Sequence, residues 1–354
     1  MPRLEARAEP SEAMRYASPL LAVVLTLIGG LIIFAALGKS PLEGFRVFFL
    51  SPLKDAYGVS ELFLKATPLM LIAVGLAVGF RANVWNIGAE GQYILGGIAA
   101  GGIALAFEGA PSALLLPAMV IAGAIGGALW AAIPALLRTR FNANEILTSL
   151  MLVYIAQLVV SWLVHGPWMD PDGFNFPQTK MFADSALLPI LVEGTRLNAA
   201  FLLALSALVV GYVFMARSFL GFQMQVAGQS AAAARYAGFS ATRTIWIGLL
   251  AGGAMAGVAG MGEVAGPMGQ LTEHVSNNYG FAAIIVAFVG RLNPIGIFFA
   301  SLLMALLYLG GEQAQQYLNL PSSISKVFQG MLLFFLLGAD VFVNYSLRWS
   351  GAKK

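Results

Sequence analysis

Long apolar stretches follow one another along almost the whole chain, and they restrict its fold more than any other feature of the sequence. A helix needs about 20 mainly apolar residues to cross the hydrocarbon core of a bilayer, and stretches such as 19–37 and 113–137 are long enough. Charged residues make up only 10% of the chain, too few for the surface of a soluble domain, where roughly a quarter is usual. The sequence therefore predicts an all-α polytopic membrane protein.

The apolar stretches predict about ten membrane helices, some of them broken. A transmembrane domain over 19–345 lies between a cytoplasmic N-terminal tail, 1–18, and a cytoplasmic C-terminal tail, 346–354. A short helix at 42–50 is expected in the interface on the outer side, and an outer loop at 262–280. The predicted spans are 19–37, 62–80 interrupted at Pro68, a third ending near Phe107, 113–137, a fifth ending at Val164, 198–216, 244–261, 281–290, 295–309 and 323–345.

Basic residues fix the predicted orientation, because Lys and Arg concentrate on the cytoplasmic side of membrane proteins. With the N-terminus inside, 13 of the 20 basic residues, among them Lys353 and Lys354, fall on cytoplasmic segments, and eleven acidic residues fall outside. We therefore expect a multi-pass membrane protein with both termini in the cytoplasm.

One long polar break, residues 217–243, is not composed like a simple linker. Gly228 and Gly238 bracket a helix-prone core with four consecutive alanines, Ala231 to Ala234, and alanine combines high helix propensity with little bulk. We call residues 217–243 the island. Its predicted place is the cytoplasm, and its shape suits the groove of another protein; a surface helix lying on lipid is the alternative.

Glycines recur four residues apart along the spans, a spacing that lets helix backbones approach closely in lipid. The pairs are Gly75 with Gly79, Gly97 with Gly101, Gly123 with Gly127, Gly253 with Gly257 and Gly262 with Gly266. The segments GFRANVWNIG near residue 79 and GRLNPIG near residue 290 also resemble each other. An internal duplication and chance recurrence both stay open as explanations.

Ionisable residues inside predicted spans are the usual functional candidates. Glu90, Glu145, Asp340, Lys65 and Lys326 fall here within a turn or two of a span end, where a helix dipole or snorkelling explains them. For Glu90 and Glu145 the structural explanation is favoured.

The sequence contains no group of residues that indicates an active site or a metal site. There is no cysteine, the two histidines His165 and His274 fall in predicted loops, and Gly38-Lys39-Ser40 lacks the earlier glycine of a phosphate loop. We predict no catalytic residue, no metal site, no cofactor bound by this chain and no nucleic-acid partner.

Four segments resemble the transmembrane permease subunits of ABC importers for simple sugars, nucleosides and branched-chain amino acids, most of all nucleoside permeases that work with basic-membrane-protein lipoproteins. They are FRANVWNIGAEGQYILG from Phe80, NEILTSLMLVYIA from Asn144, VAGQSAAAARYAGFSATR from Val226 and YGFAAIIVAFVGRLNPIGI from Tyr279. One departure is Val153, where the family pattern has Asn, which puts a pore role at that position in doubt.

The resemblance implies a type II-like ABC importer permease bundle in the bacterial cytoplasmic (inner) membrane, whose island is the coupling helix. The implied partners are an ABC ATPase subunit that binds ATP and Mg²⁺, a second permease subunit that is a related but different chain, a periplasmic or lipoprotein substrate-binding protein, and membrane lipid. The predicted coupling residues are Gly228, Gln229, Ala232, Ala233, Arg235 and Gly238. The predicted translocation-pathway residues are Asn83, Asn86, Glu90, Gln92, Asn144, Glu145 and Asn293.

The predicted function is ATP-driven nucleoside import by alternating access. Sugars and branched-chain amino acids are alternative substrates. A stand-alone secondary transporter is a second alternative, because the polar breaks near Asn86 and Asn293 would suit one. An intramembrane enzyme has no group of residues to support it.

Overall fold

The protein is helical almost throughout. A computed structural model describes residues 2–7 and 11–349. Its helices are α1 (Glu12–Ala36), α2 (Pro41–Phe45), α3 (Ala56–Arg81), α4 (Ala89–Ala106), α5 (Ser112–Phe141), α6 (Glu145–His165), α7 (Ala200–Arg217), α8 (Phe219–Gln229), α9 (Ala231–Tyr236), α10 (Ala241–Glu263), α11 (Tyr279–Val289), α12 (Pro294–Leu318) and α13 (Ile324–Asn344). Within this part of the chain, eight helices are long and apolar enough to cross a membrane. The all-α polytopic class is confirmed.

The first predicted span, 19–37, agrees with the candidate span Ala17–Ala36, and helix α1 itself begins at Glu12 because the Ser11 hydroxyl caps it by accepting the Met14 N–H at 3.3 Å. Other predicted boundaries were wrong. Helix α3 runs through Pro68 without a break. Helix α10 is extended by a π-helical turn, Val264–Met268, so the predicted loop at 262–280 starts later. Helix α11 has 11 residues and is too short to span alone, as predicted.

The two tails were predicted as separate segments, but strand β1 (Pro2–Ala6) pairs antiparallel with β2 (Tyr345–Trp349). Residues 1, 8–10 and 350–354, which include Lys353 and Lys354, lie outside the described residues. The tail boundaries and their cytoplasmic side stay predictions.

One compact unit contains residues up to 59 and from 306 onward. Helices α1 and α13 pack together there, and the predicted interfacial helix at 42–50 forms as α2 and a π-helical turn, Arg46–Leu50. Phe48 and Phe49 are buried against Phe328 and fill the core of the unit. The position of this helix in the interface on the outer side stays a prediction.

The other unit, residues 60–305, is built on α4, α5 and α10. Gly123 and Gly127 of α5 face Gly253 and Gly257 of α10 so closely that a β-carbon on any of them would meet backbone of the other helix or a side chain seated on it. Gly96 of α4 also lies against Gly257. The predicted close packing is confirmed for these two pairs, and in lipid such contact supplies much of the stability.

Substituting Gly257 by Val should therefore strongly destabilise the protein. The new side chain would overlap the Gly123 carbonyl oxygen, and overpacking costs about 1–3 kcal/mol or more. We expect the thermal unfolding midpoint in detergent to fall by about 5 °C or more. Gly338→Val is the matched control, because nothing lies within 4 Å of a β-carbon there; equal midpoints for the two variants would contradict this packing.

Candidate coupling surface and translocation path

The island folds into two short helices, α8 and α9. Three serines precede successive helices and cap them: Ser218 accepts the Gly221 N–H at 2.9 Å, Ser230 the Ala233 N–H at 3.2 Å, and Ser240 the Arg243 N–H at 3.3 Å. Serine is a preferred N-cap because its hydroxyl satisfies an otherwise unpaired backbone donor. The caps divide the island into segments, and the sequence analysis missed this signal.

Gly238 ends α9 in a left-handed conformation, with a φ of 77°. The Gly238 N–H donates to the Arg235 carbonyl at 3.0 Å, and the Phe239 N–H donates to the Ala234 carbonyl at 2.9 Å. This is a Schellman ending, in which glycine avoids the steric penalty of a positive φ. The predicted terminating role of Gly238 is confirmed.

The exposed surface of α9 consists of small apolar side chains next to one aromatic ring. Ala232 and Ala233 are exposed, Ala234 is buried, and Tyr236 is 97% exposed. Arg235 and Gln229 are exposed at the two ends of the helix. An exposed tyrosine among alanines is a surface suited to contact with another protein, because aromatic rings are enriched at interfaces.

Gly228 was predicted to bracket the helical core together with Gly238, but it lies inside α8. A β-carbon there would collide with the Arg81 carbonyl oxygen and would also meet Ala82, at the end of α3. The break between helices comes two residues later, because Ser230 provides the cap. Gly228 therefore joins the island to the α3–α4 connection.

That connection, residues 82–88, is a polar break between two buried helices. Asn83 has a φ of 56°, and its side chain accepts the Trp85 indole N–H at 2.9 Å. The Asn86 and Gln92 amides, both 1% exposed, exchange two hydrogen bonds at 2.8 and 3.0 Å. The residue that caps α4 is Gly88 rather than Asn86, whose side chain accepts the Gly88 N–H at 3.1 Å.

The second predicted break, between α11 and α12, lies against the first. The Arg81 guanidinium donates to the Leu292 carbonyl at 3.0 Å, and Phe80, Trp85 and Phe288 stack with centroids 5.2–5.7 Å apart. Asn293 accepts the Ile295 N–H at 3.0 Å and so begins α12. Two segments that resemble each other in sequence are thus in contact.

Glu90 is fully buried in the first turn of α4. Its carboxylate accepts hydrogen bonds from the Ser276 hydroxyl and from the Gly280 N–H in the first turn of α11, where the helix dipole favours a negative charge. Glu90 therefore connects the starts of two helices; the sequence predicted its place near the start of α4 but not its contact with α11.

Glu145 begins α6 and pairs with Arg138 of α5 at 3.3 Å, while Asn144 caps α6 by accepting the Ile146 N–H at 2.9 Å. A cavity of about 360 Å³ brings Asn83, Arg138, Glu145 and Arg235 together. The structure thus joins predicted pathway and coupling residues around one cavity at the island end of the bundle. Val153 is buried against Gly91 and lines no open space.

Replacing Asn86 by Leu should leave the buried Gln92 amide without its partner, at a cost of about 1–3 kcal/mol. Because the double change Asn86→Leu with Gln92→Leu removes the unpaired Gln92 amide, it should recover part of the lost thermal stability, while the Gly88 N–H that Asn86 accepts stays unpaired in both variants. Thermal unfolding in detergent measures both. A double variant no more stable than the single one would show that these two amides stabilise the protein by more than the hydrogen bonds they exchange.

A bundle of apolar helices with polar breaks in its interior and an exposed helical island is the architecture of a membrane transport permease. Residues 58–337 match the family described as "Branched-chain amino acid transport system / permease component", and the chain belongs to this family. It is an ABC transporter permease of the sugar and nucleoside type.

Curated relatives cover nearly the whole chain. A glucose ABC transporter permease protein of Haloferax volcanii is 34% identical over 97% of this chain and 92% of its own length. A nucleoside ABC transporter permease protein of Lactococcus lactis is 32% identical over 90% and 89%, and a guanosine ABC transporter permease protein of Bacillus subtilis is 29% identical over 94% and 97%. No solved structure matches with comparable significance.

Proposed function

We propose that this chain is the membrane-spanning subunit of an ATP-driven importer and that its island docks on a separate ATPase. The observation that carries the proposal is the exposed Ala232–Ala233 surface of α9, which belongs to the same island that contacts the α3–α4 connection through Gly228. A protein bound there could move the polar breaks of the bundle. ATP and Mg²⁺ would be held by that partner.

We propose nucleosides as the substrates, with a hexose as the alternative. Two of the relatives described above carry nucleoside or guanosine in their names, and one carries glucose. The family description adds branched-chain amino acids. A substrate-binding protein would deliver the substrate, and a second permease would complete the path in the cytoplasmic membrane, with both termini inside.

Co-expression with the ATPase, second permease and binding protein encoded by neighbouring genes tests this proposal. We expect the four proteins to copurify. The complex should take up radiolabelled guanosine or radiolabelled glucose, and unlabelled guanosine, glucose and leucine would be compared as competitors. Copurification without uptake of any of the three compounds, or failure of the island-bearing chain to bind the ATPase, would refute it.

A stand-alone secondary transporter is the second candidate, because the discontinuous helices α3–α4 and α11–α12 meet at Arg81 and Leu292. It predicts uptake by this chain alone, driven by an ion gradient and without nucleotide.

A further inference from the structure

Helix α6 carries a stripe of polar side chains along a face that the rest of the chain leaves open. Tyr154, Gln157, Ser161 and His165 are spaced by three and four residues, which places them on one side of a helix. Tyr154 is 56% exposed, Gln157 and His165 are exposed, and Ser161 is half-buried. The stripe covers the half of α6 farther from the island, over about 17 Å at 1.5 Å per residue.

Beside this stripe runs a stretch of chain without helical structure, residues 269–278. The Ser161 hydroxyl donates to Glu273 at 2.9 Å, and Ser276 and Gly280 contact Glu90. Gly91, the neighbour of Glu90, packs on Val153, two residues from the middle of α6. The segment therefore descends along α6 from the level of Ser161 almost to the centre of the span.

Irregular backbone at this depth is tolerated only inside protein or beside water, because lipid cannot satisfy its polar groups. Yet His274, Asn277 and Asn278 are exposed on this segment, as Gln157 is on α6. Polar side chains in a membrane span face a protein interior or an aqueous cavity rather than lipid. Both observations exclude lipid from this face and leave water or another protein against it.

We infer that the stripe Tyr154–Gln157–Ser161 and the segment 269–278 form the wall of the translocation path that contacts the substrate, and that this wall binds a neutral, polyhydroxylated ring. The inference rests on the proposed import function and identifies its substrate-binding face. The Gln157 amide both donates and accepts hydrogen bonds, Glu273 accepts them, and the Tyr154 ring offers an apolar face for stacking.

The charges on this wall favour a neutral sugar or nucleoside over an amino acid or a phosphate. The wall contains a carboxylate, Glu273, and neither α6 nor the segment 269–278 includes Lys or Arg. The N-terminus of α11, which could otherwise bind an anion, already holds the Glu90 carboxylate. An amino acid carboxylate or a phosphate would therefore find no Lys or Arg on this wall and only the imidazoles of His165 and His274 as nitrogen partners, whereas the hydroxyls of a ribose or a hexose would find several acceptors and donors.

Single cysteines test the wall directly, because the chain contains none. Gln157→Cys and Asn277→Cys would be compared with Val209→Cys, an exposed position in the middle of α7, in membranes that contain the whole transporter. We expect a charged, water-soluble methanethiosulfonate reagent to modify the two wall cysteines at least ~10-fold faster than the lipid-facing one. Equal rates, or disulfide-linked dimers through position 157 with no modification, would overturn the inference in favour of a lipid or protein contact.

Substrate protection identifies the ligand. Excess guanosine or excess glucose should slow modification at position 157. Protection by guanosine would identify a ribose as the bound ring, and protection by glucose would identify a hexose. Protection by leucine alone, or by none of the three, would overturn the assignment. In parallel, Gln157→Leu should reduce uptake while Gln157→Asn retains most of it, with ATPase association unchanged in both. Labelling needs no ATP, so a failure of ATP-driven uptake and a failure of this wall are separate results.

Discussion

Replacing Ala233 or Ala232 with Arg should abolish ATPase association and uptake while leaving membrane insertion intact. Both alanines are exposed on α9, so arginine fits without disturbing the fold, and arginine is nearly as good a helix former as alanine. In the docked state, however, each variant would bury a long cation in a surface shaped for methyl groups. An unpaired buried charge costs several kcal/mol, so the affinity should fall by about 100-fold or more.

Pull-down of the ATPase and an uptake assay on the same preparations measure the effect. Ala113→Arg is the matched control, because Ala113 is exposed in the first turn of α5, at the end of the bundle away from the island. Normal association and transport in both island variants would show that α9 is not the docking surface.

Replacing Gly228 with Leu should separate docking from transport. Gly228 lies on the face of α8 that contacts Arg81 and Ala82, while the docking alanines lie on α9. A leucine side chain would push α8 away from the end of α3 and from the break at 82–88. We expect the ATPase to remain bound, while uptake falls by about 10- to 100-fold, as a coupling free energy of 1–3 kcal/mol implies.

Gln225→Leu, on an exposed position of the same helix, controls for added bulk. The ratio of ATP hydrolysed to substrate transported is the informative measurement, because it should rise in Gly228→Leu and stay normal in Gln225→Leu. Loss of ATPase binding in Gly228→Leu would show instead that this glycine supports the docking surface itself.

How far the sequence predicts the fold depends on the range of each interaction. Most of the spans, the short α11 and the Gly238 ending are local patterns of apolar length and backbone conformation, and they were predicted. The predicted number of about ten spans was too high, because eight of the described helices are long and apolar enough to cross a membrane. The position of Gly228 inside α8 was not, although the signal was present: Ser230 caps α9, and a glycine two residues earlier can remain helical.

Interactions between distant residues could not be predicted in this way. The Asn86–Gln92 pair, the contact of Gly228 with Arg81 and the bond between Ser161 and Glu273 depend on which helices become neighbours. The bidentate ion pair between Glu61 and Arg196, at 3.0 and 2.5 Å, is another example. The polar wall along α6 was missed because Gln157 and Ser161 are unremarkable in an apolar run until the segment 269–278 lies beside them.

The dependence of uptake on ATP tests the central claim most directly. Proteoliposomes would contain this chain with its proposed ATPase and second permease, with the binding protein and radiolabelled guanosine or glucose outside and with ATP or a non-hydrolysable analogue within. The account predicts uptake against a gradient only when ATPase and hydrolysable ATP are both present. Equal concentrative uptake by this chain alone, without nucleotide, would contradict it.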